Sequence, residues 1–178
     1  MKIYILLTYT GTILSKIVKF YTKKEYSHVS IGLDKDLKRL YSFGRKYPRI
    51  AFIGGFVEES LDSGTYKLFK NTNCSLYELE VTEEQYKRLE EIIENVKDNK
   101  KKYKFNVLGL FMVSINRRRI KENTYYCAEF VQKAMEKAKI DVSYLPEIIK
   151  PEDFKQVKGV MKIYSGLLRN YGRKSVTI

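Results

Sequence analysis

The segment His28-Val29-Ser30-Ile31-Gly32-Leu33 repeats with a period of two. Successive strand side chains point to opposite faces, so Val29, Ile31 and Leu33 share one face and His28, Ser30 and Gly32 the other. Asp34-Lys35-Asp36 reads as a turn and Arg39 to Gly44 as the return strand of a hairpin. So short a connection permits only antiparallel pairing, because parallel neighbours need a crossover of about a dozen residues. An antiparallel sheet is therefore the frame on which the rest of the chain has to be arranged.

Residues 2–8, rich in Ile, Leu and Tyr with little alternation, read as a buried strand. Thr10-Gly11-Thr12 opens a helix through about Thr22, with Leu14, Ile17, Val18 and Tyr21 at helical spacing. Residues 45–63, with Pro48, Gly54 and Gly55, are expected to form a long mobile loop, of the kind that closes over a site. Thr65 to Phe69 and Ser75 to Val81 read as two more strands. Thr82-Glu83-Glu84-Gln85 is a capping box for a helix to about Val96, with Leu89, Ile92, Ile93 and Val96 inward. After a basic linker, Phe105 to Ile115 is expected to be a buried helix closed by Arg117-Arg118-Arg119. A further helix is expected from Tyr126 to Lys139, with Cys127, Val131, Ala134 and Ala138 inward. Pro151 starts a short helix, Val160 to Tyr164 is a last strand, and the tail from about Arg169 is expected to fray. The sum is one α+β domain over residues 1–178.

Thirty-four basic and 21 acidic residues give a net charge of +13, which allows an anionic partner without naming one. No nucleic-acid motif accompanies the charge, so its runs read as solvated faces rather than a nucleic-acid footprint. No stretch approaches the roughly 20 apolar residues that span a bilayer, so no transmembrane segment is expected. The apolar N-terminus lacks a cleavage site, and the expected location is the cytoplasm, where two unpaired thiols stay reduced. Two Cys and one His exclude a disulfide scaffold and His-rich metal chemistry, and no cofactor motif is present.

The chemistry-bearing pair is His28 and Cys127. Cys127 falls in the first turn of its helix, where free N–H groups and the helix dipole favour a thiolate. The same N–H groups suit an oxyanion. His28 begins a strand on the face opposite the apolar one. Cys74 precedes a strand and gains nothing from a helix.

Tyr26-Ser27-His28-Val29-Ser30-Ile31 and Tyr125-Tyr126-Cys127-Ala128-Glu129-Phe130-Val131 resemble the His and Cys motifs of the permuted papain-like cysteine hydrolases. These are the YiiX-like branch of the NlpC superfamily. Papain-like enzymes place Cys before His, and the permuted branch reverses them, as here. The resemblance covers about residues 1–140 and implies a circularly permuted, papain-like α+β fold. It also implies a cysteine amidase or peptidase, with Cys127 as nucleophile and His28 as base, and without a cofactor. A third polar group beside the His is expected from the family. Hairpin parity offers Ser42, and Glu58 or Glu59 could reach in from the glycine-rich loop instead. Tyr126, beside the thiol, and Tyr9, at the end of the first strand, are candidate oxyanion donors, and Glu58 is also a candidate substrate contact. The implied partner is a small amide, peptide or acyl compound; a peptidoglycan fragment or a lipid fits the same class. Acyl transfer, lipid ester cleavage and a non-catalytic basic binding module for nucleic acid or a membrane surface are the alternatives.

Overall fold

The computed structural model describes residues 1–48, 50–106 and 122–172. Its strands are β1 (Lys2–Tyr9), β2 (His28–Gly32), β3 (Leu40–Tyr47), β4 (Ile50–Glu59), β5 (Asn73–Glu80), β6 (Lys104–Phe105), β7 (Thr124–Tyr125) and β8 (Met161–Leu167). Six of them form one antiparallel sheet in the order β4-β3-β2-β1-β5-β8. Among the described residues, helices α1 (Ile13–Thr22), α2 (Gly64–Leu68), α3 (Glu83–Asp98) and α4 (Cys127–Lys137) accompany the sheet in an α+β fold. Strands β6 and β7 form a short parallel ladder that brings Phe105 beside Tyr125.

The lack of alternation in β1 follows from its central place. Ile3, Ile5 and Leu7 enter the larger core with α3 and α4, while Tyr4 and Leu6 enter a second core on the other face. A strand buried on both faces has no polar side to show. The second core also holds Leu40, Tyr66, Leu76 and Cys74. Among the described residues no helix is long and apolar enough to cross a membrane.

The expected helix starts survive at their caps. Thr12 accepts from the backbone N–H of Ser15, and Thr82 and Gln85 make the reciprocal bonds of the capping box. Three expectations are corrected. Residues 45–63 are not a long loop: β3 and β4 run through most of the stretch and meet in a tight turn near Pro48. Gly54 and Gly55, expected in that loop, lie in β4, opposite Arg45 and Gly44. A Cβ on Gly54 would stand 2.5 Å from the Gly44 carbonyl oxygen and 2.6 Å from a ring carbon of Phe105, so only glycine fits. Thr65 to Phe69 is not a strand but lies largely within the one-turn helix α2. Its Thr, Tyr and Phe favour strands, but the buried bonds of the Tyr66 hydroxyl override that local preference.

Phe105 belongs to β6 rather than to a helix. The rest of that apolar stretch, and Arg117-Arg118-Arg119, lie outside the described residues. Beyond β8 the chain keeps a 3-10 turn at Leu168–Asn170, and the Tyr171 hydroxyl donates to the Lys35 carbonyl at 2.8 Å. Residues 173–178, the end of the expected frayed tail, lie outside the description.

Candidate active site

His28 is the first residue of β2, so its ring sits at a strand end. Its Nε2 lies 2.8 Å from Oε1 of Glu59, the last residue of β4. The two strands are not neighbours; β3 runs between them. Between His28 and Glu59, β3 presents Ser42 and Gly44 on that face, and both are small enough for the two side chains to meet over them. A Cβ on Gly44 would come within 3.4 Å of the His28 ring.

Glu59 is fixed from several sides. Its Oε1 also accepts from Ser42 Oγ at 2.8 Å, and its Oε2 accepts from Ser30 Oγ at 2.5 Å and from the Tyr66 hydroxyl at 3.1 Å. The Thr8 hydroxyl stands 3.4 Å from the Tyr66 oxygen and closes the network. A largely buried carboxylate needs such donors, because nothing else replaces its lost hydration.

Cys127 is the first residue of α4, with Tyr126 as N-cap. It is buried and lines the same cleft as His28, near enough for its charge to favour the imidazolium. Glu59 occupies Nε2, so Nδ1 is the ring nitrogen not engaged by the carboxylate. The first-turn N–H groups of α4 have no carbonyl partner within their own helix. Cys127, His28 and Glu59 line one cleft, open to solvent, together with Ser15, Arg45 and Phe105.

Burial works against a charged imidazole at His28. The Glu59 charge overcomes it, with further help from Cys127, and lifts His28 to about 10. Burial would likewise raise Glu59, but the His28 charge and the hydrogen bonds from His28, Ser30 and Ser42 hold its carboxyl below the usual carboxylate range. An imidazolium–carboxylate pair is the arrangement these directions describe. The other thiol, Cys74, is fully enclosed, and burial pushes it up to about 12.

The structure thus brings His28 and Cys127 to one cleft and places Glu59, one of the expected third groups, on the imidazole, and it corrects the other residues expected around them. Ser42 shares the His28 face, as parity required, but its hydroxyl bonds Glu59 and does not hold the imidazole. Glu58 points to the opposite face, where it pairs with Lys97 Nζ at 2.9 Å, and it does not line the cleft of Cys127 and His28. The Tyr126 hydroxyl is buried and donates to the Ile149 carbonyl at 3.0 Å, which turns it away from the role of oxyanion donor. Tyr9 packs against the core beneath the Lys19 ammonium and does not line the cleft. Tyr66 was missed altogether; its signal would have been a phenol within seven residues of Glu59 on a helical turn. Among the described residues, no three His, Cys, Asp or Glu side chains gather to hold a metal ion. No family model matches the chain, and no curated protein matches it.

Proposed function

We propose that the chain is a cysteine hydrolase of amide or related acyl bonds, with Cys127 as nucleophile, His28 as acid–base partner and Glu59 as the group that orients the imidazole. The observation that carries this reading is that Cys127, at a helix start, lines one cleft with the chain's one histidine, whose Nε2 is held by a buried carboxylate. The His-before-Cys order and the two motifs agree with a circularly permuted papain-like enzyme, with α4 as the Cys helix and β2 as the His strand.

The sulfur attacks the carbonyl carbon, and the first-turn N–H groups of α4 receive the developing oxyanion. Nδ1–H of His28 protonates the departing amine or alkoxide, leaving a thioester on Cys127. Water then attacks the thioester carbon while Nδ1 takes its proton. The acid product leaves, and the thiolate–imidazolium pair is restored. Glu59 stays ionised throughout and fixes which ring nitrogen faces the sulfur. Acyl transfer would share the first half of this sequence and differ only in the acceptor.

Chloroacetamide labelling followed by peptide mass analysis tests the nucleophile. Cys127 is expected to alkylate at least about 100-fold faster than Cys74, because the reactive species is the thiolate. Cys127→Ala should lower hydrolysis of any acyl compound found in a small library screen by roughly 10³-fold or more. Equal labelling of the two thiols would sink the proposal.

A further inference from the structure

Arg45 lines the same cleft as Cys127 and His28. It is half-buried, one residue beyond Gly44, the position that faces the His28 ring. Its guanidinium donates to the Pro48 carbonyl at 3.1 Å and lies over the Phe69 ring, 5.9 Å from the centroid. Neither partner carries charge. Arg39 pairs with Glu90, and Arg88 with Glu84, but Arg45 has no carboxylate partner among the described residues. The residues outside the description, 49, 107–121 and 173–178, include no Asp or Glu. Glu59, the carboxylate on the same cleft, is already matched by His28 and three hydroxyls. Burial pulls Arg45 below its ordinary value, with only partial relief from Tyr66 and Glu59.

A desolvated guanidinium with unused donors beside a reactive thiol has the character of an anion receptor, since its planar fork matches paired oxygens. The single charge also matters. One guanidinium balances a carboxylate, whereas a phosphate dianion would leave excess negative charge near Glu59. We infer that Arg45 sets specificity: the acyl compound taken by this cleft carries a carboxylate, which Arg45 holds while the scissile carbonyl faces Cys127. The inference rests on the hydrolase reading and adds the substrate class to it.

The test uses two probes that differ only in charge, N-chloroacetylglycine and N-chloroacetylglycinamide. In each, the Cys127 thiolate displaces chloride: a C–S bond forms, the C–Cl bond breaks, and chloride leaves with the electron pair. The ratio of the two alkylation rates at Cys127 is measured in the wild type, Arg45→Gln and Arg45→Lys. Arg45→Gln is expected to lower the carboxylate-to-amide ratio roughly tenfold by removing one nearby charge, with the glycinamide rate of the same variant as the internal reference. Glycinamide labelling that stays faster at Cys127 than at Cys74 reports an intact fold around the thiol. Arg45→Lys should keep part of the preference. A ratio unaffected by Arg45→Gln, with labelling intact, would overturn the substrate inference alone. A Cys127 that neither probe labels faster than Cys74 would overturn the hydrolase reading, and the inference with it.

Discussion

A carboxylate that accepts from His28, Ser42, Ser30 and Tyr66 cannot turn without breaking several bonds at once, so Glu59 fixes the imidazole as well as charging it. Glu59→Gln keeps the shape and removes the charge. Burial then acts on His28 with less opposition, and its value should fall from about 10 toward or below the ordinary 6.5. With a single His in the chain, one imidazole resonance in a nitrogen-detected NMR titration reads this directly. A resonance that titrates unchanged in the variant would deny Glu59 its electrostatic role. Glu59→Ala, which strands the three hydroxyls and the imidazolium, should cost about 3–5 kcal/mol of stability by urea titration. At this scale the thiol and the imidazole were legible in the sequence, because helix-start placement and strand parity are local properties. Parity also placed Ser42 on the correct face. It could not show that a longer side chain from the next strand would reach over Ser42, since that depends on how β4 pairs.

That pairing is where the hairpin β3–β4 was lost to view. Its glycines and its proline read as a loop, yet a structureless stretch of that length inside a small domain already argues against the assignment. Glycine in a strand signals a close approach of another chain segment, and at Gly54 the segments are β3 and Phe105. Gly54→Ala should therefore destabilise the fold by about 1–3 kcal/mol, read as a lower urea midpoint with an unchanged slope. A hinge glycine would tolerate the methyl group, so a wild-type midpoint would refute the packing account. The helix α2 was misread for a different reason: a five-residue helix is too short for periodicity to declare itself, and its β-favouring residues point the wrong way. By contrast, the capping box at Thr82 was read directly, because its partners sit three residues apart.

For the molecule as a whole, the His28–Glu59 pair makes stability depend on pH in a definite sense. His28 is raised in the fold, so its contribution is full below 6.5 and is lost as pH rises through about 10. Glu59 is lowered, so its contribution is full above 4.5 and is lost as pH falls. The stability gap between wild type and Glu59→Gln should be widest between about pH 4.5 and 6.5 and should narrow on either side, as urea midpoints across that range will show. A gap that widens from pH 7 to 10 would contradict the pairing. The central place of β1 bears on a different matter, the order in which the chain assembles. Its first partner, β2, follows within about twenty residues of chain, but its second, β5, pairs Ile3 with Leu79. On a ribosome the first strand emerges early and stays open along one edge until β5 is made. The hairpin that bears His28 and the strand that ends in Glu59 are both synthesised before Cys127. The imidazole and the carboxylate thus leave the ribosome well before the thiol that they adjoin in the finished fold.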